Sequence, residues 1–104
     1  MAQGRYSLKH LEVAGLEVPL TSGKITRGTG PVLWDVSAEG VSQDTFDRLV
    51  ETFAAHSKET ELKFTDDQGS SHHSRCHLWK RTQADPGLHF DEGTLTFSFE
   101  GPIK

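Results

Sequence analysis

The stretch Val41-Ser42-Gln43-Asp44-Thr45-Phe46-Asp47-Arg48-Leu49-Val50-Glu51-Thr52-Phe53-Ala54 decides how the rest of the chain is read. Ser42 suits an N-cap, because its hydroxyl can accept from the free N–H groups of a first helical turn. Val41 before the cap and Phe46 inside the helix fit a hydrophobic staple. Phe46, Leu49, Val50, Phe53 and Ala54 recur at i, i+3, i+4, i+7 and i+8, the spacing of one buried stripe. Asp44 and Asp47 favour the positive N-terminal end, and His56 and Lys58 the negative C-terminal end. The pattern predicts a helix from about Gln43 to about Ser57.

Everything on either side of that helix reads as strand and turn. Leu11-Glu12-Val13-Ala14-Gly15-Leu16-Glu17-Val18 alternates apolar and acidic residues around Ala14-Gly15. A two-residue loop there pairs Val13 with Leu16 and Leu11 with Val18 on a buried face, and sets Glu12 opposite Glu17. Like charges so placed repel, so that face is either well solvated or shared with a cation. Thr21-Ser22-Gly23-Lys24 reads as a turn, Ile25-Thr26-Arg27 as a short strand, and Arg27-Gly28-Thr29-Gly30-Pro31 as a loop. Val32, Trp34 and Val36 then face the core, with Leu33, Asp35 and Ser37 outward. After the helix, Leu62 and Phe64 alternate with Glu61, Lys63 and Thr65. Beyond a turn at Asp67-Gln68-Gly69-Ser70-Ser71, a return strand runs from His73 to Trp79. Asp85-Pro86-Gly87 and Asp91-Glu92-Gly93 are turns around a short extended piece, Leu88 to Phe90. The last strand, Thr94 to Glu100, turns Leu95, Phe97 and Phe99 inward.

The expected fold is α+β: an antiparallel β-sandwich or half-open barrel of about six to seven strands with one amphipathic helix packed on it. The 104 residues suit a single domain, residues 1–104, with one core. With 34% apolar and 25% charged residues the chain is polar without being disordered in composition. A formal charge of −4 argues against nucleic acid as the main partner. The single cysteine, Cys76, excludes an intrachain disulfide. No apolar run resembles a secretion signal or a membrane span, so a soluble cytoplasmic protein is expected.

The residues that invite a chemical reading are few. His72-His73-Ser74-Arg75-Cys76-His77 holds zinc-ligand types. On a strand, however, residues four apart lie about 13 Å apart, so neither His73 with His77 nor His72 with Cys76 can share an ion unless the stretch is irregular. Cys76, in phase with Leu78, reads as a small buried side chain rather than a nucleophile. Asp66-Asp67 and Asp91-Glu92 flank glycines, where carboxylates serve turn geometry. Arg27-Gly28-Thr29-Gly30 lacks the lysine and the following helix of a phosphate loop. No catalytic, metal or cofactor residue is assigned. Arg75, Trp79, Lys80 and Arg81 form the one basic patch with an aromatic, and are the expected partner-binding residues. His73, Arg75, His77 and Trp79 share the outward face of their strand, a composition favoured at interfaces.

The hairpin Leu11 to Val18, the glycine-rich loop before Val32 to Val36, the capped helix leading into Glu61-Leu62-Lys63-Phe64-Thr65, and the ending Gly93 to Gly101 form a pattern. It resembles small β-rich phage tail proteins of the tail-tube, tail-tip or baseplate type, and the related tube proteins of contractile secretion systems. The resemblance implies a non-enzymatic virion subunit assembled in the host cytoplasm. Such a subunit would pair with copies of itself and with other assembly proteins through loops and sheet edges. The alternative is a small binding module or inhibitor acting on one protein or nucleic-acid partner through the basic and aromatic strand face.

Overall fold

A computed structural model describes residues 5–28, 32–56, 59–80, 82, 84 and 87–104. Its elements are β1 (Arg5–Val13), β2 (Leu16–Glu17), β3 (Ser22–Arg27), β4 (Leu33–Glu39), α1 (Gln43–Ala55), β5 (Thr60–Asp66), β6 (Ser71–Trp79), β7 (Leu88–Asp91) and β8 (Thr94–Glu100). Six strands follow one another as β1-β3-β4-β8-β6-β5, and β1 pairs β5 to close the ring. The expected choice between sandwich and half-open barrel resolves as a closed antiparallel barrel with one helix. The short strands β2 and β7 pair with β1 and β8 outside the ring. Closure leaves each barrel strand with a partner on both sides over at least part of its length, which removes most of the exposed backbone edge.

Period-two alternation builds the barrel interior. Ile25 from β3, Val36 and Ala38 from β4, Leu62 and Phe64 from β5, and Leu95, Phe97 and Phe99 from β8 are buried in one core. In β1, Leu8 and Leu11 are both buried although an odd number of steps separates them. A register shift between Leu8 and His10 opposite β5 inserts one residue and returns Leu11 to the inner face. The hairpin has the expected register, Glu12 opposite Glu17 and Val13 opposite Leu16. Its loop residues, Ala14 at φ 50° and Gly15 at φ 86°, have the two positive angles of a primed turn. Glu12 also lies opposite Lys63 of β5, so a cation of the chain adjoins the acidic pair.

Three local readings are corrected. Ser22 to Lys24 continue β3 rather than turning, because each pairs with β4. Leu33 is buried while Val32 is exposed. Leu33 folds over Gly28, where a Cβ would stand 2.8 Å from the leucine Cγ, so the absent side chain makes its room. The helical stripe is narrower than its spacing predicts: Leu49 and Phe53 are buried, but Val50 is 43% exposed. Ser42 caps α1 as expected, its Oγ accepting from Thr45 N at 3.1 Å. Phe53 packs edge-on against Phe97 and Phe46 stacks on Phe90 of β7, which ties the helix to the β7–β8 hairpin. Thr29, Gly30 and Pro31, the expected helix end at Ser57 with Lys58, and the turn residues Asp85 and Pro86 lie outside the described residues.

Candidate functional site: a polar groove on the outer barrel face

The residues that alternate with the core face outward, and register places them in rows. Thr26 lies opposite Asp35, Asp35 opposite Ser98, and Ser98 opposite Trp79. Next to this row, Lys24 lies opposite Ser37, Ser37 opposite Thr96, and Thr96 opposite His89. Strands spaced ~4.8 Å apart make each row roughly 14 Å long. All eight side chains line one groove.

The wall of this groove follows from how β8 is shared. On one edge β8 pairs with β4 throughout; on the other, Ser98 to Glu100 pair with β6 and Thr94 to Phe97 with β7. The end of β6 and the start of β7 therefore meet at the same edge. Half-buried Trp79 and exposed His89 stand side by side there, with Gly87 between the two strands. The floor is mostly hydroxyls, each able to donate and accept. Ser98 Oγ donates to the Asp35 carboxylate at 2.5 Å, which fixes one acceptor in place. Lys24 and Asp35 contribute one charge of each sign.

The expected basic patch is not one surface. Trp79 borders the groove, but Lys80 has the opposite parity and lines a separate crevice with Val50, Phe53 and Leu78. Arg75 lies further along β6 and pairs with Glu59 at 3.7 Å. His77 on the same face pairs with Glu100 at 3.1 Å. These exposed pairs add little stability, but they set a carboxylate beside Arg75 and another beside His77 on the row His73, Arg75, His77, Trp79. Arg81 lies outside the described residues.

The histidine-rich stretch is strand β6, so its side chains alternate between the two faces. His72 turns inward, within 4.9 Å of the Phe64 ring and 4.8 Å of Tyr6, centroid to centroid. Its Nε2 lies 2.9 Å from Asp66 Oδ2, and Asp66 Oδ1 accepts from the backbone N–H of Gln68 and Ser70. The bond with His72, then those from the turn backbone, hold the Asp66 carboxyl below its usual range. Asp66 thus organises the β5–β6 turn, as expected from its place beside a glycine. Cys76 is buried and donates to Thr60 O at 3.5 Å. Burial pushes its thiol up to about 11, far from an activated nucleophile. Among the described residues no group of three or more His, Cys, Asp and Glu side chains is placed to hold a metal ion.

The sequence pointed to Trp79 but missed the other residues of the groove. Outward parity of Asp35, Ser37, Thr96 and Ser98 was readable, but their convergence with Lys24 and Trp79 depends on long-range register. Comparison of the chain with protein-family models, with curated proteins and with solved structures finds no significant match in any of the three. Among the described residues no helix is long and apolar enough to cross a membrane.

Proposed function

We propose that this protein is a non-enzymatic binding module whose ligand lies in the outer groove between Lys24 and Trp79. The observation that carries the reading is the register that brings Thr26, Asp35, Ser98 and Trp79 into one row beside Lys24, Ser37, Thr96 and His89. A concave face with a few convergent polar groups and an aromatic wall is the usual form of a ligand site. The Ser98 hydroxyl donates to the exposed Asp35 carboxylate, too weak a base to activate a serine by itself, so the groove suits holding a ligand rather than transforming it. The test is amide chemical-shift mapping of the full chain against small-molecule mixtures containing amines, carboxylates, aromatic acids and sugars. Shifts concentrated on the two rows are expected. Shifts confined to the Val50 crevice, or to the β1–β5 face, would assign binding elsewhere.

A self-assembling virion subunit is the second reading, and it rests on the pattern resemblance. Ring closure leaves such a subunit little open strand edge, so copies would join through faces and loops. Light scattering across a wide concentration range tests it: discrete ring-sized species or growing assemblies support it, and a persistent monomer favours the groove.

A further inference from the structure

Building on the groove reading, we infer that its ligand is a neutral, hydroxyl-rich molecule: a short saccharide with one ring against Trp79. An anionic ligand needs an excess of cations, yet Lys24 is offset by Asp35, and the chain as a whole carries −4. A nucleic-acid backbone fails for the same reason. A cationic ligand would lean on Asp35, one of whose oxygens is already engaged by Ser98 at 2.5 Å.

An extended peptide is normally read by adding a strand to an open sheet edge. Here β3, β4 and β8, which form the floor, each have neighbours on both sides, so over the floor the ligand meets side chains rather than a free backbone edge. Those side chains, Ser37, Thr96, Ser98 and Thr26, are hydroxyls that donate and accept in the same way as sugar hydroxyls. The threonine methyls and the Trp79 ring offer flat apolar surface beside them, which matches the C–H face of a pyranose. The fixed Ser98–Asp35 bond gives the floor one oriented acceptor at no cost on binding.

The experiment is a titration of the isotope-labelled full chain with xylotriose, cellotriose, maltotriose and tri-N-acetylchitotriose. Each is taken to about 10 mM, so that a Kd as weak as ~1 mM is seen. At least one should shift the Trp79 indole N–H together with the amides of Ser37 and Ser98, and 0.5 M salt should leave the affinity unchanged, since no net charge pairs. Trp79→Ala should weaken binding at least ~10-fold. Thr96→Val, isosteric and on an exposed position, should weaken it without threatening the fold. If charged oligosaccharides or peptides shift the groove while the neutral trisaccharides do not, the saccharide assignment is wrong and the groove reading stands. If no probe of any class moves the groove signals, both fail.

Discussion

His72 Nε2 and Asp66 Oδ2 stand 2.9 Å apart across the β5–β6 hairpin, both side chains mostly buried, with the imidazole held between Tyr6 and Phe64. The same carboxylate accepts from two backbone N–H groups of the turn. It therefore links the aromatic end of the barrel to the loop that joins two of its strands.

A pH dependence follows. The Asp66 carboxyl is held below its ordinary 3.8 in the folded chain. The unfolded state thus takes up its proton more readily, and the stabilisation is fully present above the unfolded value. It is lost as pH falls through the lower, folded value. Asp66→Asn should lower the urea midpoint at neutral pH, and the gap to the parent should shrink at about pH 2. An equal gap at both pH values would mean that the carboxylate charge plays no part.

Cys76 should be inert in the folded protein. It is 3% exposed and burial pushes its thiol up to about 11, so only on the order of one thousandth is thiolate at pH 8. Alkylation by iodoacetamide should therefore track unfolding across a urea titration. Fast labelling without urea would mean that β6 opens locally. Among the described residues its neighbour Ser74 has a buried hydroxyl with no hydrogen-bond partner beyond the weak Cys76 thiol. Removing a polar group so poorly paired is cheap, so Ser74→Ala should be neutral or stabilising by up to ~1 kcal/mol in chemical denaturation.

Gly101 is a packing position. A Cβ there would stand 2.5 Å from Arg75 O and 2.8 Å from Cys76 Cα, both backbone atoms that cannot swing aside. Its own N–H donates to Val32 O at 2.9 Å, so the segment is held against β6 from the other side as well. Gly101→Ala should cost roughly 2–3 kcal/mol, read as a fall in Tm. A neutral result would show that the C-terminal segment can slide away from β6.

What the sequence made legible was local. The cap at Ser42, the stripe through Leu49 and Phe53 and the Leu11–Val18 register each depend on residues a few positions apart, where helix and strand periods act directly. The closure of β1 onto β5 and the β1 bulge between Leu8 and His10 depend on partners distant in the chain, and the burial of Leu33 over Gly28 depends on a missing side chain that strand alternation does not weigh. The site divides in the same way. Trp79 stands out as an outward aromatic and Lys80 adjoins it in sequence, but Lys80 lines the separate crevice with Val50 and Leu78. The six residues from β3, β4 and β8 become a site only once two strand pairings are in register.

The β1–β2 turn gives a prediction free of packing. A type I′ two-residue turn needs positive φ at both central positions, which glycine and asparagine adopt readily and alanine only at a cost. Ala14 occupies the first of them at φ 50° and Gly15 the second at φ 86°. Ala14→Asn should relieve the strain and raise stability by about 0.5–1 kcal/mol. The backbone bond from Ala14 N to Glu61 O at 2.7 Å is kept by any residue except proline. Gly15→Ala is the complement. Nothing lies within 4 Å of a Cβ at that position, so its cost is the backbone angle alone, about 1 kcal/mol. Opposite signs for the two variants, measured by urea denaturation, would locate the effect in the turn dihedrals. If Gly15→Ala proved neutral, the hairpin would have to be closed by a different turn, and the Glu12–Glu17 register would be the next thing to test.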